Sequence, residues 1–155
     1  MPFRMFRVFC ATPGDSETGL EPERNAFHDV VGEVNEAEAM ARGILFVPVS
    51  VLPQMMNFNV FGPSLDENVR ACRFYVQVLQ DSWGPPTRTF EPYYLLATQC
   101  CASVSIFFKG PNGRQVEPAV AQLKEQQNPQ RGDFENLDDF KASLRTQLSA
   151  WLKTV

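Results

Sequence analysis

The sequence predicts a three-layer α/β domain, a mainly parallel sheet of four or five strands with helices on both faces. Three observations lead there. Short aromatic and β-branched runs alternate with longer stretches whose apolar residues recur at helical spacing. Clusters of Gly, Pro, Asn and Asp mark the changes from one kind of stretch to the other. The chain has 155 residues, 44% of them apolar and 21% charged, which is ordinary globular composition. A chain of that length buries enough surface to sustain one core, so a single domain over residues 1–155 is expected. Strands joined through helices imply right-handed crossovers and therefore parallel neighbours.

Met5 to Ala11 (M-F-R-V-F-C-A) reads as a first strand, stopped by the turn formers Thr12-Pro13-Gly14-Asp15. From Glu21 to Met40, Phe27, Val30, Val31, Val34, Ala37 and Met40 form one stripe at helical spacing. Pro22 suits the first turn, where its missing N–H costs nothing, and Gly43 lies just past the end. Ile44 to Leu52 is a second strand. Pro48 cannot donate to a ladder, so this strand is expected at an edge.

Ser64-Leu65-Asp66-Glu67 has capping-box spacing and opens a short helix ending near Arg70 to Cys72. Phe74 to Leu79 (F-Y-V-Q-V-L) is a third strand and the most β-rich stretch. A loop with two prolines follows it, and Glu91 to Cys101 reads as a helix with Pro92 in its first turn. Ser103 to Phe108 is a fourth strand, ended by Lys109-Gly110-Pro111-Asn112-Gly113. Pro118 to Gln127 is helical on Val120 and Leu123. A fifth strand has to be fitted around Asp133 to Glu135. The last helix keeps Leu137, Phe140, Leu144, Leu148, Trp151 and Leu152 on one face.

Composition excludes several function classes. The net charge of −4 gives no long-range attraction for a polyanion, so a nucleic-acid partner is not expected. No apolar run reaches the ~18–20 residues of a membrane helix. Arginines interrupt the apolar residues of Met1 to Arg7, unlike a signal peptide, which leads to an expected cytoplasmic location. Cys10, Cys72, Cys100 and Cys101 show no C-x-x-C spacing, and His28 is the single histidine. That set is too thin for a zinc site, and free thiols packed in the interior are expected. A Ser-His-Asp triad would have to use His28, which lies mid-helix.

Ligands of doubly wound sheets sit beyond the carboxyl ends of the strands, where strand order reverses. The loops at Thr12 to Asp15 and Gln80 to Arg88 leave the central strands at that rim. The start of the helix at Glu91 is expected to line the same cleft.

At these loops the sequence resembles a known family. Val8-Phe9-Cys10-Ala11-Thr12-Pro13-Gly14-Asp15, followed by Glu23-Arg24, looks like the "V-F-x-S-[ST]-P-G-D … E-R" start of a bacterial TIR-like domain. That family is formally of unknown function and usually sits at the N-terminus of NTPase or repeat-containing signalling proteins. Arg73 to Leu79 with Trp83-Gly84 resembles its third strand and loop. Phe90 to Ala97 resembles its "[ST]-x-x-E-x-E-Y-x-x-A" helix start, and Phe134 to Phe140 with Trp151-Leu152 resembles its tail. The ordered set spans nearly the whole chain. Cys10-Ala11 replaces the family's first small residues, and about four extra residues precede Glu23-Arg24. Tyr93 stands where NAD-cleaving TIR proteins carry glutamate, with Glu91 two residues earlier. Two residues are about 200° along a helix, so Glu91 faces elsewhere unless the helix starts at or after it.

The resemblance implies a flavodoxin-like, TIR-like fold and a signalling or self-association domain, its partners like domains or a signalling effector. It also implies binding or cleavage of a nucleotide such as NAD, as a substrate rather than a resident cofactor. Glu91 would then bond a ribose hydroxyl and stabilise an oxocarbenium-like centre. Its other reading is complementing the helix dipole. Thr12, Pro13, Gly14 and Asp15 either cradle a phosphate or ribose or form only a turn. Arg24 meets a pyrophosphate or pairs with Asp15 or Glu91. Asp81, Trp83, Gly84 and Tyr93 complete the candidate set, Trp83 stacking on a base or filling an interior. Met55 to Phe61 covers the pocket, self-associates or packs on its own domain. A nucleoside deoxyribosyltransferase-like enzyme shares the architecture and a helix-start glutamate, and is the alternative.

Overall fold

The computed structural model describes residues 2–13, 20–50, 65–84, 89–126 and 131–155. Its five strands are β1 (Arg4–Ala11), β2 (Ile44–Ser50), β3 (Phe74–Leu79), β4 (Ser103–Lys109) and β5 (Arg131–Phe134). They form one sheet in the order β2-β1-β3-β4-β5, and every neighbouring pair is parallel. This is the flavodoxin-like order, with its reversal between β1 and β3. The helices are α1 (Glu21–Val34), α2 (Leu65–Arg70), α3 (Glu91–Cys100), α4 (Pro118–Gln126) and α5 (Leu137–Leu152).

Alternation along the strands separates two apolar clusters, one on each face. Val8 and Cys10 of β1 point to the side that α1 and α5 cover, joined by Phe27, Val30, Phe140, Leu144 and Trp151. Phe9 and Ala11 point the other way, toward Val69 of α2, Tyr94 of α3 and Val120 of α4. All six residues of β3 are buried, as a strand covered on both faces requires. Where β5 meets β4, a Cβ on Gly132 would come 2.7 Å from Cδ1 of Phe107, so the close approach of the two strands depends on that glycine.

Several expectations from the pattern hold closely. Pro48 lies on edge strand β2, opposite Val8. Gly43 closes the turn after α1 at φ +70°, a left-handed conformation that costs glycine nothing. β5 forms two residues earlier than the Asp133–Glu135 placement, because its register with Ile106 to Lys109 of β4 is set by the neighbouring strand. Ser64 of the capping box and the Met55–Phe61 stretch lie outside the described residues.

The first helix differs more. The expected span to Met40 splits into regular helix to Val34, a π-turn over Asn35–Ala39 and a 3-10 turn over Met40–Arg42. The π-turn falls where Asn35 reaches the sheet. Its amide donates to the Phe46 carbonyl at 2.9 Å and accepts from the Phe46 N–H at 2.8 Å. Phe27, Val30, Val31 and Val34 face inward as the spacing predicts, but Ala37 and Met40 are exposed and Ala39 is buried instead, because the change in winding at Asn35 turns the chain out of that stripe.

Candidate functional site

The carboxyl ends of β1 and β3 lie side by side, with Ala11 opposite Gln77. Gln77 is fully buried yet polar. Its side-chain amide donates to the Ala11 carbonyl at 3.3 Å, and its oxygen accepts from the Tyr75 hydroxyl at 2.8 Å. The point where strand order reverses is therefore locked by a polar side chain rather than left to apolar packing. Thr12 and Pro13 continue the chain past β1 and are buried. Gly14 and Asp15 lie outside the described residues.

On the α1 side of this rim, the first turn of α1 buries two charges, Glu23 at 1% exposure and Arg24 at 3%. Glu23 pairs with Lys109 at the end of β4, Oε1 to Nζ 2.6 Å, which spans the rim from α1 to β4. Arg24 lies 3.7 Å from Glu21 one turn away. Among the described residues, Arg24 Nε and Glu23 Oε2 are buried without a hydrogen-bond partner. Both residues act on Cys10 of β1. Burial drives that thiol's pKa far up, the Arg24 charge opposes the rise and the Glu23 charge adds to it. The resemblance of Glu23-Arg24 to the TIR-like "E-R" and its place on the first helix turn single out Arg24. The role of Glu23 as a buried partner of Lys109 is not legible there, since the two are far apart in the chain.

His28, one turn further along α1, places Nε2 2.7 Å from Ser50 Oγ at the end of β2. Burial, reinforced by the Arg24 guanidinium, lowers its pKa below the ordinary histidine value. The folded state thus resists the proton that the unfolded chain accepts near pH 6.5. The stability that this neutral imidazole supports is present above pH 6.5, falls as the pH drops through the window beneath it, and levels off below the folded-state pKa. Unfolding free energies from urea denaturation between pH 7.5 and 5 are expected to fall only slightly from this source, because His28 is exposed on one side and solvent screens the effect. His28→Gln removes that part of the slope; an unchanged slope in the variant assigns it elsewhere.

The loop after β3 turns toward β4 and α4. Gln80 donates to the Gly110 carbonyl at 2.8 Å, the Asp81 carbonyl accepts from the Glu117 N–H at 2.8 Å, and the Trp83 N–H donates to the Glu117 carboxylate at 3.4 Å. The Phe90 N–H closes the loop onto the Trp83 carbonyl at 2.8 Å. Gly84 adopts φ +111°, a conformation open to glycine. Trp83 is 4% exposed, its ring centroid is 5.5 Å from that of Tyr94, and its indole N–H has no partner among the described residues. Tyr93 packs edge-on against Phe90 at 5.9 Å.

Glu91 is the first residue of α3, so the 200° step of a running helix does not fix its direction. With Trp83, Tyr94, Gln122, Leu123 and Gln126 it lines a depression of about 170 Å³ between α3 and α4. That is below the ~300–1,000 Å³ common for small-molecule pockets. The structure thus brings Glu91 and Trp83 together on the α3–α4 side. Thr12 ends β1, and Arg24 packs beside Cys10 on the side covered by α1 and α5. Among the described residues no group of three or more His, Cys, Asp or Glu is arranged to hold a metal ion, and no helix is long and apolar enough to cross a membrane.

No family model matches the chain, and no curated protein is similar to it in sequence. Among solved structures it is similar to a chain of the RPS4 and RRS1 TIR domain heterodimer, with a TM-score of 0.46 and 11% identity over 95% of this chain and 97% of that one. A likeness that distant assigns no chemistry to this chain. The doubly wound α/β fold rests on the strand order and pairing described above.

Proposed function

We propose that this chain is a TIR-like signalling domain that binds a phosphate-bearing nucleotide, NAD among them, at the carboxyl rim of its sheet and associates with like domains or a signalling effector. The observation that carries the reading is the buried first turn of α1, where Arg24 Nε and Glu23 Oε2 both lack hydrogen-bond partners among the described residues. Buried polar atoms are nearly always satisfied, and two exceptions on adjacent residues call for an explanation. They sit at the rim where doubly wound sheets take their ligands. Guanidinium suits a phosphate, and a ribose hydroxyl can donate to the free carboxylate oxygen. Thr12 and Pro13, buried just past β1, are the adjacent stretch of backbone in this reading.

Calorimetric titration with NAD, ADP-ribose and inorganic phosphate tests this. Loss of the charge-assisted contact in Arg24→Met is expected to weaken nucleotide binding about 10- to 100-fold. Arg24→Lys keeps the charge and serves as the check on folding. Equal affinity in wild type and Arg24→Met overturns the reading.

One observation favours a second reading, cleavage of NAD: Glu91 and Trp83 share one depression. In that reading the Glu91 carboxylate holds a ribose hydroxyl and offsets charge at the anomeric carbon as nicotinamide leaves. Chromatography of concentrated protein incubated with NAD decides it. Nicotinamide released by wild type and not by Glu91→Gln supports cleavage, and none released, with or without a crowding agent, leaves binding alone.

A further inference from the structure

Three of the four cysteines meet at the amino end of the sheet, far from the rim discussed above. The β3–β4 register sets Phe74 opposite Ser103, and the Ala102 N–H donates to the Arg73 carbonyl at 2.7 Å, so the pairing persists one residue before both strands. One residue further back stand Cys72 and Cys101, where the chain leaves α2 and α3 for the two strands, with their N–H groups bonded to the Val69 and Ala97 carbonyls. Both belong to the same face: Cys72 is buried in the α2–α3–α4 cluster and Cys101 packs against it. Both also converge on one atom, the Val69 carbonyl oxygen, which accepts from the Cys72 N–H at 3.1 Å and from Cys101 Sγ at 3.6 Å. Sharing that one acceptor holds the two residues as neighbours, and a disulfide between them needs a Cα separation of roughly 4.4–6.8 Å.

Cys100 adds the third thiol. It is exposed, and its side chain acts on that of Cys101, adding to the rise of the Cys101 thiol's pKa. Cys101 in turn borders an open pocket of about 410 Å³ with Thr98, Ser103 and Tyr94.

We propose that Cys72, Cys100 and Cys101 form a peroxide-responsive modification site whose product is a Cys72–Cys101 disulfide. The exposed Cys100 thiolate attacks hydrogen peroxide, breaking its O–O bond; Cys100 becomes a sulfenic acid and hydroxide leaves, taking up a proton as water. The adjoining Cys101 thiol then attacks Cys100 Sγ, its proton leaving with the displaced hydroxide as a second water. Cys72 attacks Cys101 Sγ, and Cys100 departs with the electron pair and recovers a proton. Overall two thiols lose two electrons and two protons, and one peroxide becomes two waters. Burial pushes the Cys72 thiol up to about 12 and raises Cys101 further, with Cys100 adding to both. Cys72 is buried and Cys101 half-buried whereas Cys100 is open to solvent, which makes Cys100 the point of entry for peroxide.

The bond ties the turn before β3 to the turn before β4. It closes a loop that contains β3, Trp83, Glu91 and all of α3, so oxidation restrains the segment carrying the Glu91 depression.

The test is peptide mapping of the full chain after treatment with equimolar hydrogen peroxide, alkylation of remaining thiols and digestion without reductant. A Cys72–Cys101 linked peptide that disappears on addition of dithiothreitol is the expected result, with a rise in melting temperature of about 5–10 °C. Cys100→Ser is expected to slow formation of the same peptide at least tenfold, and an unchanged rate removes Cys100 from the route. A final product linked only between Cys100 and Cys101, or sulfinic and sulfonic acid on Cys100 with Cys72 and Cys101 still alkylated, overturns the proposal. The wild-type map needs no variant to fold.

Discussion

Asn35→Leu is expected to cost about 2–5 kcal/mol of stability, a loss large enough to unfold a marginal domain at 37 °C. Asn35 is a polar residue at the end of a helix, and its cost follows from what its amide satisfies. Edge strand β2 turns the Phe46 N–H and C=O away from β1, and Phe46 is 1% exposed. The Asn35 side chain meets both groups in the manner of a further strand. Leucine removes both partners at once and leaves two buried backbone groups unsatisfied at about 1–3 kcal/mol each. Urea denaturation followed by far-UV circular dichroism measures the loss. Asn35→Asp keeps an acceptor for the Phe46 N–H and strands the carbonyl, which separates the two contributions. Should Asn35→Leu lose less than about 1 kcal/mol, the paired amide is not what fixes β2 beside α1.

Trp151→Ala is expected to remove about 3–5 kcal/mol, the range for deleting a buried indole. Trp151 sits in the last turn of α5, 3% exposed, with its ring stacked on Phe74 at 4.6 Å and 11° between planes. Its indole N–H donates to Ser103 Oγ at 2.9 Å, so one side chain joins α5 to the starts of β3 and β4. Ser103 is partly exposed and can turn to water, so most of the loss is cavity and lost apolar burial. Trp151→Phe keeps a ring against Phe74 and is expected to lose only about 1–2 kcal/mol. Melting curves read the difference as about 2–4 °C for each kcal/mol. Equal destabilisation by Phe and Ala would place the energy in the hydrogen bond instead.

How far the sequence reaches is clear from particular residues. Four strands and five helices are each marked by apolar spacing or a helix-start signal, because burial on a sheet face or a helix stripe demands period 2 or 3.6; the four-residue β5 carries no such pattern, and the sequence leaves the sheet at four or five strands. Pro48 marked an edge strand because a missing N–H is excluded from a central ladder. Strand order was not legible in that way. Nothing local in Phe74 to Leu79 states that β3 pairs with β1 rather than β2, since pairing is decided by which surfaces remain to be covered. At the candidate site, Arg24, Trp83 and Glu91 were chosen from residue type and position. Their surroundings were hidden, because those are made by Lys109, Glu117, Tyr94 and Gln122, distant in the chain. The same limit applies to Asn35, whose partner Phe46 lies across a turn, and to Cys72 and Cys101, which tertiary packing alone brings together.

By itself, then, the sequence determined the alternation of elements, the inward faces and the turns, because each rests on the conformational preferences of residues within one helical turn or one strand. Tertiary structure alone decided the β2-β1-β3-β4-β5 order, the burial of Glu23 and Arg24 at the rim and the separation of Arg24 from Glu91 onto opposite sides of the sheet. The physical reason is that desolvation and pairing depend on every element packed against a group, and that neighbourhood exists only once the sheet has closed.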